Sequence, residues 1–481
     1  MKRFLWLFVI VFLFLICLGC GDTFRPVIIP NPPKFPDPRA SHTVVTISDN
    51  GVFPGSAMVI NVTGDSDVSE ADCQEGSPCI GIAPVHAVQQ TATQVLVVNQ
   101  SVPGALGDSL SKVNFSGTTI SGVTTISLPP DSAPNFVAVA PSDTTAYVTL
   151  PKYFDPVQNA IVPSVGVVST GGNSLLTTIP VGNNPSAMAV TPDKSKLYVA
   201  NQDDNSISAF NTSDRSLRPF DATLFPNPFS SPHWVSARSD NQRVYVLSGD
   251  GSLVTLDTTS AAGTTDKVIA KLTNVGAGAY MLYDGHLNRI YVPSGSQVAI
   301  VDVSRDPPQM LGTGGNPLPI DTFPRENRSA QDVCFGAHDP NPPAVTAVAV
   351  AALPDGSRFY VGSFYSDGAG NLCPQVTVIN TSGNTLKATV GIPGFPDATI
   401  VGSPFFVPVC TATGTRFRFN MAAGGDSTRV YLASCDGGNV NFIDTSNDTY
   451  LQRLRAPKSD RPPVNGNQPP PQNPVFMIAG P

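Results

Sequence analysis

The stretch "NNPSAMAVTPDKSKLYVANQDDNSISAFNT", residues 183–212, contains three short apolar runs that are separated by turn residues. Apolar side chains alternate within the runs, as at Leu197 and Val199, and a period of two residues is typical of a β-strand with one buried face. The pair Pro192-Asp193 suits a tight turn, because proline presets the backbone and the aspartate accepts hydrogen bonds from the backbone ahead. The stretch therefore predicts three successive strands joined by short turns.

The middle run "LYVAN" recurs along the chain, so the stretch is one copy of a repeat. Seven copies are found, and their central residues are Val97, Val148, Val199, Val246, Val292, Val361 and Leu432. Successive copies lie 46 to 71 residues apart, which is a period with insertions. Because one small sheet cannot bury both of its faces, the repeat predicts several sheets packed side by side.

A polar residue closes the strand that follows each copy of the run. These residues are Asn114, Ser169, Asn211, Asp257, Asp302, Asn380 and Asp444. Such a side chain can bond the backbone ahead of it and start a hairpin turn. One of these acids alone could be a metal ligand, but recurrence at the same place in the repeat favours the turn.

An eighth, incomplete copy lies at the start of the repeat region. It consists of "HTVVTIS" from His42 and "MVINVT", and it lacks the strand that should precede it. At the other end of the chain, "NPVFMIAG" from Asn473 is similar to the "NPSAMAV" that opens the quoted unit. We expect the C-terminal strand to complete this first sheet, which would close the array into a ring and remove its exposed edges.

The pattern of Pro185, "SAMAVTPD" and "LYVANQDDNSISAFNT" resembles the YVTN β-propeller repeat family. The resemblance is best in residues 183–212 and 354–363 and looser over about 42–480. It implies an all-β chain whose residues 42–481 form a single β-propeller of four-stranded antiparallel blades, often secreted or on the cell surface, with no particular chemistry. The repeat count predicts eight blades, whereas seven blades are common in the family.

The N-terminus predicts export and lipid attachment. Residues 1–19 combine two basic residues with a short apolar run, as in a secretory signal peptide, and the Gly-Cys pair that follows is similar to a bacterial lipobox. Cys20 would carry the lipid, and residues 20–41 would form the anchor and a proline-rich spacer. Cys17 departs from the usual leucine of the lipobox, and a transmembrane helix is the alternative. We expect a protein anchored in the bacterial cell envelope, at the outer membrane or the cell surface.

Charge argues against a nucleic-acid partner. The 481 residues carry a formal net charge of −8 and contain no basic run. Phosphate binding needs clustered lysine and arginine side chains, because these displace the counterions of the nucleic acid. We expect a monomer whose partners are the membrane, reached through the lipid anchor, and a protein or a cell-surface glycan.

The insertions between repeats are predicted to lie on one face of the ring. With strands a to d counted outward from the axis, they fall in b–c loops and in d-to-a crossings. The segments are 63–80, 150–163, 218–231, 304–343, 364–373 and 392–415. Long loops on a rigid scaffold are where binding usually resides. Candidate binding residues are the loop aromatics Tyr153, Phe154, Phe364, Tyr365, Phe405 and Phe406. Alternatively, these rings pack the loops onto the scaffold.

No catalytic motif is recognised, and we assign no catalytic residue, metal or cofactor. His86 and His233 follow prolines that open innermost strands, so they could share a metal in the central channel, but no third ligand is evident. A lactonase-like hydrolase with its site at the mouth of the channel is the alternative to a binding or scaffold protein. A polar, acidic channel mouth would favour the hydrolase, whereas an apolar channel would favour the scaffold.

Six cysteines remain beyond Cys17 and Cys20, an even number in a chain addressed to an oxidising compartment. Their places in the repeat predict three disulfides on the loop-rich face: Cys73 with Cys79, Cys334 with Cys373, and Cys410 with Cys435. Free buried thiols or a zinc site are the alternatives.

Overall fold

The computed structural model describes residues 43–73, 77–101, 107–140, 143–261, 265–320, 331–334, 344–367, 370–396, 419–458 and 471–479. The chain divides after Lys34, and every described residue belongs to the unit Phe35–Pro481. This unit is an all-β propeller of eight blades. Among the described residues, the only helix is one short 3-10 turn, Thr313–Gly315, so none is long and apolar enough to cross a membrane.

Blade 1 is built from the two ends of the propeller. Its innermost strand is β36 (Asn473–Ala479), which pairs antiparallel with β1 (Thr43–Asn50). The strands β2 (Phe53–Asn61) and β3 (Ser66–Ala71) complete the blade outward. The C-terminal strand therefore closes the ring, and this prediction is confirmed.

The next three blades follow in chain order, each antiparallel with its first strand innermost. Blade 2 contains β4 (Pro84–Thr91), β5 (Gln94–Asn99), β6 (Ser109–Ser116) and β7 (Thr119–Ser127). Blade 3 contains β8 (Val137–Val139), β9 (Thr145–Leu150), β12 (Ser164–Ser169) and β13 (Ser174–Pro180), and its b–c loop carries the hairpin of β10 (Phe154–Asp155) and β11 (Ala160–Ile161). Blade 4 contains β14 (Pro185–Val190), β15 (Lys196–Asn201) and β16 (Ser206–Asn211).

The remaining four blades continue around the ring. Blade 5 contains β18 (Pro232–Ala237), β19 (Arg243–Ser248), β20 (Leu253–Asp257) and β21 (Asp266–Leu272), with β17 (Phe220–Asp221) parallel at its outer edge. Blade 6 contains β22 (Leu282–Asp284), β23 (Arg289–Ser294), β24 (Gln297–Asp302), and the short β25 (Gln309–Met310) and β26 (Leu318–Pro319). Blade 7 contains β27 (Thr346–Ala352), β28 (Arg358–Ser366), β29 (Asn371–Asn380), β30 (Thr385–Gly391) and β31 (Phe395–Pro396). Blade 8 contains β32 (Phe419–Ala423), β33 (Arg429–Ser434), β34 (Asn439–Asp444) and β35 (Thr449–Arg455).

The outer edge of blade 4 is a short segment rather than a regular strand. The backbone N–H of Arg218 donates to the carbonyl of Ala209 at 2.8 Å, and that of Asn211 donates to Ser216 at 2.9 Å. The chain then leaves this position early and forms β17 along blade 5. Blades 4 and 5 are thus joined at their outer edges as well as through their cores.

The repeated "LYVAN" run is the second strand of its blade in all seven complete copies, namely β5, β9, β15, β19, β23, β28 and β33. The central residues of these strands are at most 1 % exposed. Each such side chain contributes roughly 1.5–3 kcal/mol by leaving water. The repeat therefore marks the strand that is covered by the neighbouring blades on both sides.

Among the recurrent polar residues, Ser169, Asp257, Asp302 and Asp444 accept a backbone hydrogen bond from the turn that follows, as predicted. The side chains of Asn114, Asn211 and Asn380 bond other groups instead. Asp193, of the predicted Pro-Asp turn, accepts a hydrogen bond from the backbone of Ser195 at 3.0 Å in an a–b turn. Asp257 accepts one from the backbone of Thr259 at 3.0 Å, at the end of the third strand of blade 5. Because the bond runs two residues forward, each aspartate fixes the start of its own turn.

A second repeated contact occurs at blade junctions, where a tyrosine hydroxyl of one blade donates a hydrogen bond to an aspartate of the next blade. The Tyr198 hydroxyl donates to Asp266 at 2.7 Å, and Arg218 pairs with the same carboxylate at 2.7 Å, with both charged side chains fully buried. Burial alone would raise the pKa of Asp266, but hydrogen bonds from Arg218, Ser260 and Tyr198 outweigh it and lower that pKa. The equivalent contacts at two other junctions are Tyr360 with Asp448 and Tyr431 with Asp65.

Candidate binding face

The b–c loops and d-to-a crossings lie on one face of the propeller, which we call the loop-rich face. The a–b and c–d turns lie on the opposite face, the loop-poor face. Two predicted insertions are shorter than expected. Residues Ser66–Ala71 of 63–80 form the outer strand of blade 1, so that crossing begins after Ala71. Within 304–343, β25 and β26 pair with β24 and form the outer edge of blade 6.

Two disulfides between described cysteines lie on the loop-rich face. Cys73 is joined to Cys79 within the crossing from blade 1 to blade 2. Cys334, in the crossing into blade 7, is joined to Cys373 of β29. Both pairs are those that the repeat predicts. Cys435 is buried at the end of β33, and its predicted partner Cys410 lies outside the described residues.

Three of the four predicted loop aromatics that the structure describes pack against the scaffold. Tyr365 is buried in the core between blades 6 and 7, and Phe364 packs in the next core with its ring 5.4 Å from that of Phe419. Tyr153 is half-buried against the core of blades 2 and 3. For these three rings the structure favours the packing role. Phe364 and Tyr365 are carried into the core because β28 extends to Ser366.

Phe154 is the exception among the predicted aromatics that the structure describes. It pairs across the β10–β11 hairpin with Ile161 and is half exposed, and Ile161 and Val157 of the same hairpin are also exposed. This hairpin is therefore an apolar projection from the loop-rich face. Phe405 and Phe406 lie outside the described residues.

Aromatic side chains from the innermost strands meet across the axis of the ring. His86 of blade 2 stacks on Phe136 of blade 3 with ring centroids 3.9 Å apart, and Phe136 lies 5.4 Å from Trp234 of blade 5. His86 is also 5.2 Å from Phe476 of blade 1, and Tyr280 of blade 6 lies 5.5 Å from Trp234. Only residues close to the axis can touch from blades that are not neighbours, so these five rings form a collar inside the channel.

The aromatic collar has a sequence signal that the repeat analysis missed. Four of its residues stand two positions after a proline that precedes or opens an innermost strand. They form the pairs Pro84 and His86, Pro134 and Phe136, Pro232 and Trp234, and Pro474 and Phe476. Since each innermost strand enters from a d-to-a crossing, this position places the collar toward the loop-rich end of the channel.

His86 and His233 have structural partners. His86 Nδ1 accepts the backbone N–H of Val137 at 3.4 Å, in addition to its ring stacking. His233 Nε2 lies 2.7 Å from the carbonyl oxygen of Gly278, a neighbouring-blade contact that the protonated nitrogen makes as a donor. These contacts explain both histidines without a shared metal.

Among the described residues, one cluster of potential metal-ligating side chains is found, at Cys334, Asp367 and Cys373. Its two sulfur atoms are joined in the disulfide described above. Sulfurs that are bonded to each other are not thiolate ligands. The cluster is therefore a structural crosslink with a nearby carboxylate.

An open pocket of about 490 Å³ lies between blades 5 and 6 on the loop-rich face, and we call it the blade 5–6 pocket. It is formed by the b–c loops of both blades and by the crossings that follow them. Its lining residues are Gly249, Asp250, Gly251, Asn274, Val275, Gly276, Ala277, Ser294, Gln297, Ala299, Asn316 and Pro317. Sequence reasoning missed this pocket, because its members come from four separate loops and show no motif.

Asp250 is the ionisable group of the pocket lining. One carboxylate oxygen accepts hydrogen bonds from the backbone and the hydroxyl of Ser252, at 3.1 and 2.6 Å, and the other lies 3.2 Å from Lys271 Nζ. Partial burial would raise the pKa of Asp250, but the bonds from Ser252 and Lys271 lower it overall. The carboxylate is thus charged at neutral pH and already paired with one cation.

No protein-family model and no curated protein matches the sequence. Solved structures do match. AztD from Citrobacter koseri is 10% identical, with 91% of this chain and 98% of AztD covered and a TM-score of 0.53. The dihydro-heme d1 dehydrogenase NirN in complex with DHE is 10% identical, with 94% of this chain and 77% of NirN covered and a TM-score of 0.55. At such low identity the likeness shows a shared β-propeller fold.

Proposed function

We propose that this protein is a lipid-anchored binding or scaffold protein of the bacterial cell envelope, a member of the YVTN repeat family that uses its loop-rich face. The envelope location and lipid anchor rest on the signal-like residues 1–19 and on Cys20. The family assignment rests on the repeat itself, best seen in residues 183–212.

One observation carries the binding role: the pocket and the exposed apolar hairpin lie on the same face, at the end of the axis where the aromatic collar lies. A rigid ring that places its variable loops on one side is a common design for recognition. Apolar side chains held out in water at a loop tip favour contact with another molecule.

The channel does not favour the hydrolase alternative. Five aromatic rings lie at the axis, and the one metal-capable cluster among the described residues is a disulfide with a neighbouring carboxylate. An acidic cluster at the channel mouth is what a lactonase-like site would need, and the described residues offer none there.

Binding can be tested with the purified protein and separated protein and glycan fractions of the producing cell's envelope. The double variant Val157→Asp with Ile161→Asp places charges on residues that are 92% and 61% exposed. Leu217→Asp is the matched control, since Leu217 is 70% exposed at the outer edge of blade 4, away from the loops. We expect the double variant to lose retention of an envelope component that the wild type and Leu217→Asp retain. Equal retention by all three proteins would contradict the use of the hairpin face.

Membrane attachment has its own test. We expect Cys20→Ser to release the protein from the membrane fraction, because the lipid would be its anchor. A Cys20→Ser protein that remains uncleaved and membrane-bound would identify the N-terminal segment as a transmembrane helix.

A further inference from the structure

We propose that the blade 5–6 pocket binds a neutral, hydroxyl-rich ligand, namely a short saccharide. This inference rests on the proposed binding role of the loop-rich face and names the chemistry of one of its sites. The volume of about 490 Å³ falls within the range of about 300–1,000 Å³ that is typical of small-molecule sites.

The base of the pocket is backbone held in place by glycines. Gly251 and Gly276 have positive φ values of 74° and 102°, which residues with side chains rarely adopt. A Cβ at Gly276 would lie 2.8 Å from the Cβ of Ser294, which is too close. Val275 donates its backbone N–H to the Gly251 carbonyl at 2.9 Å and fixes the two loops together. The pocket is therefore a preformed gap between two loops, and it stays open because Gly251 and Gly276 have no side chains to fill it.

Three polar side chains around the pocket are available to a ligand. Asn274 and Gln297 make no side-chain hydrogen bond to any described residue, and neither does the hydroxyl of Ser294. An amide both donates and accepts hydrogen bonds, as a hydroxyl does. This mixture matches a ligand whose own groups are hydroxyls, since each of them can serve either role.

The charge of the pocket points to a neutral ligand. The carboxylate of Asp250 is the one charged lining group, and Lys271 at 3.2 Å offsets it. An anion would meet this carboxylate without an arginine to bind it, and a cation would compete with the ammonium already in place. A hydroxyl can instead donate to the lone pairs of Asp250 that Ser252 and Lys271 leave open.

Apolar atoms complete the match. Ala277 and Pro317, which are not buried, lie among the polar groups of the lining. A sugar ring presents C–H groups on its faces and hydroxyls at its edge, so it can satisfy both kinds of surface at once. The same arrangement is poorly suited to a purely apolar ligand, which would leave the amides of Asn274 and Gln297 without partners.

Calorimetric titration of the protein without the predicted signal peptide, residues 1–19, with a panel of saccharides tests this inference. The panel contains neutral sugars (glucose, galactose, mannose, N-acetylglucosamine and their disaccharides) together with glucuronate and glucosamine as charged counterparts. We expect at least one neutral sugar to bind, with weaker binding of its acidic and amino derivatives. Absence of binding by every neutral sugar at millimolar concentration would overturn the proposal.

Variants locate the site. Asn274→Ala and Gln297→Ala each remove a ligand hydrogen bond and should weaken binding by about 3- to 10-fold. Gln202→Ala, in the b–c turn of blade 4, is the matched control for an amide on the same face and should leave affinity unchanged. Sugar binding that is unaffected by both pocket variants would also overturn the proposal.

The outcomes separate this inference from the proposed function. The envelope test uses the blade 3 hairpin, which none of the pocket variants alters. If the sugars fail to bind but the hairpin variant still loses envelope retention, the pocket assignment is wrong and the binding role stands. If both tests fail, the binding role itself is wrong.

Discussion

The two faces of this propeller are built in opposite ways from the same repeat. On the loop-poor face, turns start from an aspartate that bonds two residues forward, and three blade junctions share the tyrosine–aspartate contact. On the loop-rich face a hairpin, two disulfides and a glycine-lined pocket each occur at their own blades. The repetition serves packing and closure of the ring, so recognition has to be sought where the repeat is broken.

The largest effect should come from opening the ring. Deletion of residues 473–481 removes β36, exposes the edge of β1 and takes away the buried side chains of Val475 and Met477, which are 5% and 3% exposed. At roughly 1.5–3 kcal/mol for each buried side chain, together with the lost strand pairing, we expect a loss of several kcal/mol. Thermal unfolding measures the change. A truncated protein with the melting temperature of the full chain would show that closure does not stabilise the ring.

The next largest loss of stability is expected at a blade junction. Asp266→Ala leaves Arg218 buried without its carboxylate, and such a change typically costs about 3–5 kcal/mol. Arg305→Ala is the control, because Arg305 is 58% exposed in its pair with Asp302 and should change stability by less than about 1 kcal/mol. Chemical denaturation compares the two. Similar losses for both variants would mean that junction pairs are no more important than surface pairs.

The same junction predicts an acid dependence. Because the pKa of Asp266 is lowered in the folded protein, its contribution to stability is present above its unfolded value of 3.8 and is lost as the pH falls below it. We therefore expect the stability difference between wild type and Asp266→Asn to be largest near neutral pH and to shrink below about pH 4. A difference that stays constant across this range would contradict the lowered pKa.

The loop-rich face should respond less strongly to loss of its crosslinks. Replacing Cys334 and Cys373 by serine removes a bridge that spans 39 residues and should cost about 2–4 kcal/mol. Replacing Cys73 and Cys79 opens a bridge that spans only 6 residues and should cost less, since short closed loops restrict the unfolded chain less. The reverse order in denaturation experiments would indicate that the short bridge holds native structure directly.

The smallest effect concerns Glu70, at the outer strand of blade 1. Burial, a hydrogen bond with Asp67 and the charges of Asp67 and Asp72 raise the pKa of Glu70 to about 8. Because the pKa of Glu70 is higher in the folded protein than in the unfolded chain, the contribution of Glu70 to the free energy of unfolding is fully present below pH 4.5. It is lost as the pH rises toward 8, since the unfolded chain ionises Glu70 first. Glu70→Gln should be more stable than the wild type above pH 8 and about equal to it at pH 4. An unchanged pH profile of the melting temperature would show that Glu70 titrates normally.

The sequence predicts the ring well, because its signals are local and repeated. Runs such as "LYVAN" identify the second strands, and aspartates such as Asp193 and Asp257 identify the turns. Closure by the C-terminal strand follows from the likeness between residues near Asn473 and those near Asn183. Each of these features lies within a few residues of the chain and needs no knowledge of the neighbouring blade.

The candidate site is less accessible to sequence reasoning, because its parts are brought together only by the ring. The pocket pairs Asp250 with Lys271, which is 21 residues away, and brings Gly251 next to Gly276 from a different loop. Aromatic residues in the insertions were natural candidates for binding, yet Tyr365 is drawn into the core because β28 continues through it. Exposure depends on how far a strand extends, which local composition does not determine.

The aromatic collar also provides an intrinsic fluorescence probe. The chain has two tryptophans, Trp6 in the predicted signal peptide and Trp234 at the axis. In a mature protein without residues 1–19, tryptophan emission would therefore come from one indole, which makes edge-to-face contacts with rings of blades 2, 3 and 6. Its fluorescence would sense the centre of the ring without any introduced label, so opening of the blades or entry of a molecule into the channel could be followed in real time.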